Sequence, residues 1–317
     1  MVTGATGFIG TALCERLVAD NHFVRGTIWL DESPINLPNS IETVKIKSIG
    51  PQTDWTEALT DIDIVIHLAA RVHIMSDSSN DPLVEYRQVN VAGTTCLAKA
   101  AAKAGIRRML FVSSVKVNGE ENREPYTPNS LPNPLDPYGI SKLEAEQVLR
   151  QIEIESGIEI VIVRPTLVYG PGVKANFLKM MRIIQSGLPL PIASVVNKRS
   201  LVYVGNLVDA LVTCATCPAA AGKTFFVSDG EDVSTVELVR RVARVLNRPA
   251  RLISVPLSLL RIVGAVTGKN STINRLTGSL TVDSSKIRQE LRWKPPFTMD
   301  EGLRATAIWF KDVYKTN

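Results

Sequence analysis

The chain is predicted to be an α/β protein: a Rossmann-type doubly wound parallel sheet with a smaller mixed α/β lobe. Three observations predict it. A glycine-punctuated turn, Gly4-Ala5-Thr6-Gly7-Phe8-Ile9-Gly10, separates a short apolar run from a helix-like run over 11–19. Near-continuous apolar runs recur over 62–70, 109–114 and 158–163, the pattern of parallel strands covered on both faces. Helical segments alternate with them, and such alternation builds a parallel sheet through right-handed crossovers.

At the turn, Gly4 permits the tight reversal, Gly7 lets a pyrophosphate approach the backbone, and Gly10 lets the helix pack closely on the strand. The free amides and positive dipole end of that helix suit phosphates. Only Met1, Val2 and Thr3 precede Gly4, fewer than the about five residues usual for a strand, so residues upstream of Met1 are expected. Segment 23–30 reads as the second strand. An acid at its end favours the 2′-hydroxyl of NAD, an arginine the 2′-phosphate of NADP. Arg25, Trp29 and Asp31 stand there; Asp31 is the candidate acid if the strand runs long, and Arg25 reads as solvated. The choice between NAD and NADP stays open.

A strand over 44–49 and a helix over 54–59 come next. The strand over 62–70 ends in small residues that leave room for a ligand, and 71–81 is a loop over the site. Helical signals run over 82–104, interrupted at 89–94. The strand over 109–114 carries hydroxyls at its end; after a proline-rich loop come a helix over 138–146 and a strand over 158–163 reaching Pro165. Residues 1–166 thus form the dinucleotide-binding domain. Beyond Thr166 the rhythm becomes irregular, with short strands over 201–204 and 224–227 and helices over 207–215, 235–246 and 299–311. Residues 167–317 form a substrate-binding lobe interleaved with the first domain, about 200–227 returning to the Rossmann side.

With 317 residues, 45% hydrophobic and 21% charged, the composition is that of a soluble globular protein. A net charge of +5 suits anionic ligands, while the spread of Lys and Arg gives no indication of nucleic acid binding. The most apolar stretch, 252–268, is too short and interrupted to span a bilayer and reads as a packed helix. No signal peptide is expected. Four scattered cysteines exclude a disulfide framework. Cys214 and Cys217 end an apolar helix before Pro218 and read as buried thiols of a cytoplasmic protein. His22, His67 and His73 are not at ligand spacing, and no metal site is expected.

Tyr138 and Lys142 are four apart on a predicted helix and share a face. A free phenol has a pKa near about 10, and an ammonium within about 6 Å favours the phenolate. Ser114, from another strand end, is placed to hydrogen-bond the oxygen of a carbinol or carbonyl. Together these residues make a proton-transfer site beside a hydride carrier.

The chain resembles the extended short-chain dehydrogenases/reductases, the nucleotide-sugar epimerase/dehydratase family, over nearly its whole length. The matching motifs are TGATGFIG, HLAA at 67–70, NVAGT at 90–94, VSS at 112–114, DPYGISK at 136–142, RPTLVYGPG at 164–172 and VDSSKIRQELRW at 282–293. The resemblance implies a catalytic triad of Ser114, Tyr138 and Lys142, with Lys142 also holding the nicotinamide ribose. It implies a groove for NAD or NADP lined by Gly4, Thr6, Gly7, Phe8, Ile9, Gly10, Asp31, Ser48, Ile49, Leu68, Ala69, Ala70, Asn90, Tyr138, Lys142 and Pro165. Ser114, Val115, Asn176, Arg199 and Arg275 are the candidates for the nucleotide-sugar substrate, since amide and guanidinium groups suit phosphate oxygens. A homodimer through helices near 86–104 and 141–156 is a further implication.

Hexose 4-epimerases of the family usually carry Tyr where this chain has Asn118, Asn where it has Leu167, and acids where it has Trp29 or Leu30 and Ser48. Dehydratases place Asp-Glu where Val115 and Lys116 stand, which argues against dehydration. A weaker adenosine site fits exchangeable cofactor. The leading expectation is therefore an NAD(P)-dependent reductase or dehydrogenase acting at C4 of a nucleotide-activated hexose, a UDP-4-keto-6-deoxy-N-acetylhexosamine used for surface polysaccharide. A UDP-hexose or UDP-N-acetylhexosamine 4-epimerase with tightly bound NAD is the alternative, and a non-catalytic NAD(P)-sensing regulator the third reading.

Overall fold

The computed structural model describes residues 1–72, 81–268 and 270–314. Its first half lays down β1 (Val2–Thr3), α1 (Phe8–Ala19), β2 (Arg25–Trp29), β3 (Glu42–Ile46), α2 (Thr56–Leu59), β4 (Ile64–His67), α3 (Pro82–Tyr86), α4 (Thr94–Lys103), β5 (Arg108–Val112), α5 (Pro137–Ser156) and β6 (Glu159–Pro165). The second half adds β7 (Leu167–Tyr169), α6 (Ala175–Gln185), β8 (Arg199–Tyr203), α7 (Val204–Thr216), β9 (Thr224–Val227), β10 (Asp232–Val233), α8 (Thr235–Leu246), α9 (Leu257–Val266), α10 (Asn270–Thr277), α11 (Ser285–Leu291) and α12 (Met299–Val313). No helix among the described residues is long and apolar enough to cross a membrane.

Seven parallel strands form the main sheet in the order β3-β2-β1-β4-β5-β6-β9. Short as it is, β1 is central: Val2 pairs with Gly26 on one side and Ile66 on the other. The strand order reverses between β1 and β4, and the crevice at such a switch point, outside the strands' carboxyl ends, is where ligands bind. Every residue of β5 is buried, as its unbroken apolar run requires. One core joins α1 and α7 to the sheet, a second joins α2, α4 and α5 to its other face. A third core holds α6, α8 and α12 against β7 and β8. The small sheet runs β10-β8-β7, while α7 packs on α1 and β9 pairs with β6 in the large sheet.

The helical break expected at 89–94 is a π-helical turn, Arg87–Gly93, inserted without a gap between α3 and α4. Most of the loop expected over 71–81 lies outside the described residues, as does His73. Arg25 corrects its sequence reading. It is buried at 7% exposure, ion-paired to Glu42 at 3.0 Å and donating to the carbonyls of Glu57, Ala58 and Thr60, where it closes the end of α2. Arg108 does the same for α7: fully buried, it donates to the carbonyls of Cys214, Ala215 and Cys217. Cys214 is buried and its thiol is pushed up by desolvation, whereas Cys217 is only half-buried. The 252–268 stretch, expected as a packed helix, corresponds to α9, which buries only Leu260 and Gly264.

Candidate active site

The glycine turn is built by backbone sterics. Gly4 has φ +68°, and a Cβ there would press on the Ala69 backbone at 3.1 Å. At Gly10 a Cβ would lie 2.1 Å from the Gly4 carbonyl oxygen, so only glycine lets α1 come this close. Gly7 is the N-cap of α1 in extended conformation and has no side-chain cap, leaving the first amides of the helix without a side-chain acceptor. A Cβ at Gly7 would meet only the Gly4 carbonyl, at 3.2 Å, so the space above it is open. These features fit a dinucleotide pyrophosphate.

The acid beside this turn is Glu32, not the expected Asp31. The strand β2 stops at Trp29 and the chain turns back, so that Glu32 Oε2 accepts the Thr6 hydroxyl at 2.9 Å and the Trp29 amide at 3.2 Å. Asp31 is exposed. Of the positions after β3, Ser48 is exposed and its carbonyl accepts the Thr53 hydroxyl, while Ile49 is buried against Gly93 of the π-turn. Leu68, Ala69 and Ala70 follow β4, and the Ala69 amide donates to Thr3 Oγ1 at 3.2 Å. His67 ends β4, its ring nitrogens 2.7 Å from Thr3 Oγ1 and 3.0 Å from Thr94 Oγ1. Burial first, then the neighbouring Lys142, hold its pKa down to about 3, so it is a neutral strut. Pro165 is the buried last residue of β6.

Ser114 lies just beyond β5 and caps a single 3₁₀ turn, Val115–Val117, its oxygen accepting the Lys116 amide at 3.2 Å. Tyr138 is the second residue of α5, whose N-cap, Asp136, accepts the Gly139 amide at 2.7 Å. The Ser114 hydroxyl faces the Tyr138 phenol closely enough to favour its ionised form. One turn further, Lys142 is buried with its ammonium 4.1 Å above the Phe111 ring. Asn90, in the π-turn, fixes this edge: it exchanges hydrogen bonds with the Arg71 backbone at 2.8 and 3.0 Å and donates to Ser141 Oγ at 3.0 Å. The expected lowering of the phenol pKa is not found. Burial pushes the Tyr138 phenol up, Asp136 and Tyr86 add to the rise, and the nearby Ser114 hydroxyl opposes it. Burial likewise pushes Lys142 down to about 7 against the pull of Glu146.

Val115 packs its side chain with Phe226, Leu280 and Val282. Arg199 and Arg275 are brought together, Arg199 donating to the Arg275 carbonyl at 2.9 Å and the Gly278 carbonyl at 3.1 Å. Both belong to a charged cluster around Glu120, which Arg275 meets at 3.5 Å and Lys116 at 2.9 Å. Asn176 is on another element, exposed on the first turn of α6. Asn118, where epimerases carry Tyr, is buried; it donates to the Ser130 carbonyl and accepts from Arg164, itself ion-paired to Glu146. A cavity of about 620 Å³ lined by Met1, Phe23, Ile64 and Ala215 opens at the opposite, amino-terminal end of the strands and is separate from these residues.

The sheet, the glycine turn and the Ser-Tyr-Lys constellation define an extended short-chain dehydrogenase/reductase. The chain belongs to the NAD dependent epimerase/dehydratase family, whose pattern matches residues 1–227. It is 43% identical over 314 residues to a UDP-glucose 4-epimerase of Vibrio cholerae, covering 98% of this chain and 94% of the relative. It is 29% identical over 320 residues to the N-acetyl-alpha-D-glucosaminyl-diphospho-ditrans,octacis-undecaprenol 4-epimerase of Escherichia coli O157:H7, covering 96% and 93%. The crystal structure of a Bacillus cereus UDP-glucuronic acid 4-epimerase in complex with NAD shares the fold, with a TM-score of 0.81 at 23% identity over 99% of this chain and 98% of that one.

Proposed function

We propose that this enzyme is an NAD-dependent 4-epimerase of a nucleotide-activated hexose, a UDP-hexose or UDP-N-acetylhexosamine. The carrying observation is the apposition of Ser114 and Tyr138, with buried Lys142 one helical turn on, in a chain 43% identical to a UDP-glucose 4-epimerase over 98% of its length. The reductase expectation leaned on a weak adenosine site. Glu32 at the glycine turn removes that ground, because a carboxylate there suits the 2′-hydroxyl of NAD and repels a 2′-phosphate. Asn118, the other departure from the epimerase pattern, has its side chain engaged by Arg164 and Ser130 and is part of the scaffold.

In this reading the turn at Gly4, Gly7 and Gly10 holds the pyrophosphate, Glu32 the adenosine ribose and Lys142 the nicotinamide ribose. Bound NAD supplies a hydride acceptor and donor for C4 of the sugar. Tyr138 takes the proton from the C4 hydroxyl and later returns it, and Ser114 holds the same oxygen in place. Since burial, Asp136 and Tyr86 all oppose the phenolate, this reading has the positive charge needed at Tyr138 come from Lys142 and the cofactor together. Inversion then requires the 4-keto sugar to turn over before reduction. Arg199 and Arg275 serve the diphosphate, the latter by leaving Glu120. We propose further that the enzyme is a homodimer through α4 and α5.

Purified enzyme incubated with UDP-glucose or UDP-N-acetylglucosamine, with no nicotinamide added, tests the proposal by NMR at C4. The expected result is the C4-inverted product, together with the absorbance of co-purified nicotinamide. A protein that arrives empty and only consumes added NAD(P)H against a 4-keto sugar would restore the reductase.

A further inference from the structure

Among the described residues, nothing covers one apolar face of the α9–α10 hairpin. Leu260 and Gly264 point inward, Gly264 close enough to α10 that a Cβ would lie 2.8 Å from Ile273. Leu259, Ile262, Val263 and Val266, spaced to share the opposite face, are 49%, 59%, 49% and 82% exposed. Four large aliphatic side chains in one outward stripe mark a docking surface.

The charge around that stripe points to what covers it. Between Glu237 and Asp283 the chain has no Asp or Glu and eight Lys and Arg; Arg241 is ion-paired to Glu231, Glu237 and Asp300, and Arg275 to Glu120, whereas three of the others, Arg248, Arg251 and Arg261, are exposed on or just ahead of α9. Exposed arginines without an acid on the same stretch therefore accompany α9, although the overall charge is only +5. Arg261 is exposed on α9, about 100° around the helix from Ile262, and Arg248 and Arg251 are exposed on the segment leading into α9. An exposed aliphatic stripe with exposed arginines on and just ahead of its helix, and no acid on the same stretch, matches an anionic lipid surface: the stripe enters the acyl boundary and the guanidinium groups meet headgroup phosphates. We infer that α9–α10 seats the enzyme peripherally on an anionic bilayer. The hairpin borders the site, because α10 carries Arg275, the partner of Glu120. Seating therefore brings the Arg199–Arg275 pair near the headgroup layer.

The test is flotation of the full chain with phosphatidylcholine vesicles, with and without phosphatidylglycerol. The wild type should float with the anionic vesicles alone and be released by salt. Ile262→Glu combined with Val266→Glu should reduce the bound fraction by roughly tenfold or more while leaving circular dichroism and turnover of soluble sugar nucleotide unchanged. Should that variant misfold, Arg261→Glu keeps the stripe and is expected to weaken binding to the anionic vesicles only. Wild type that stays in the supernatant, or variants that float as well as wild type, would overturn the inference. So would a variant that merely shifts the sedimentation mass from dimer to monomer without wild-type flotation, which would make the face a contact between two copies of the chain. None of these outcomes depends on which sugar reaction the site performs.

Discussion

Lys116 and Asp136 form an ion pair across the two segments that carry the paired hydroxyls. Lys116 follows Ser114 by two residues and its amide is the donor to Ser114 Oγ; Asp136 is the N-cap of the helix bearing Tyr138. The approach is close on the backbone side too, since a Cβ on Gly139 would lie 2.8 Å from the Lys116 carbonyl oxygen. Lys116 is thus a positioning residue for the Ser114–Tyr138 contact. Lys116→Ala should lower kcat about 10- to 100-fold with KM little changed, and Lys116→Arg should recover part of it. Because Asp136 already raises the phenol pKa, removing its partner cation should also move the rising limb of the pH–rate profile to higher pH. A scaffold-only role would leave that limb where it was.

In the proposed mechanism Lys142 sets function against stability. Its folded pKa, about 7, lies below the unbound value of 10.5, so between these values the unfolded chain holds a proton that the folded one has released. The cost of burying the charge is then fully felt below pH 7 and fades as pH rises to 10.5. Lys142→Met should accordingly stabilise the fold at pH 6 by roughly 1–4 kcal/mol in urea titrations, with the two proteins converging above about pH 10, while abolishing turnover. Equal stability at pH 6 would contradict the buried-charge reading.

The glycines of the first turn should separate folding from binding. Gly10→Ala places a methyl 2.1 Å from a carbonyl oxygen and should cost at least ~3 kcal/mol or prevent folding. Gly7→Ala meets one contact at 3.2 Å and has ordinary backbone angles, so its melting temperature should stay near wild type while bound nicotinamide is lost. Thermal melts and absorbance spectra of the two variants decide this.

Glu32→Ala should weaken NAD binding by about tenfold or more and narrow the preference over NADP, as calorimetry on stripped protein would show. An unchanged preference would mean that another group reads the ribose.

The elements whose positions rest on local chemistry were legible in the sequence: the turn at Gly4 to Gly10, the buried strand ahead of Ser114, and the helix that places Tyr138 and Lys142 on one face. What was not legible depended on where the chain travels between elements. Glu32 reaches Thr6 only because β2 ends at Trp29 and reverses. Arg25 read as solvated, yet it is drawn inward by the end carbonyls of α2, and Arg108, which nothing in the sequence singled out, is drawn in by those of α7 more than a hundred residues on. Lys116 stood out as a departure from the dehydratase pattern, but its partner Asp136 lies beyond a proline-rich loop that no periodicity bridges. The phenol pKa was misjudged because spacing to Lys142 was counted and desolvation of both groups was not.

The most direct measurement of the central claim is turnover by Tyr138→Phe, which removes one oxygen from the Ser114 contact and leaves the ring in place. The account predicts that the variant retains its nicotinamide and loses about 10²- to 10⁴-fold in kcat for C4 inversion of the sugar nucleotide. Wild-type turnover in that variant would contradict it.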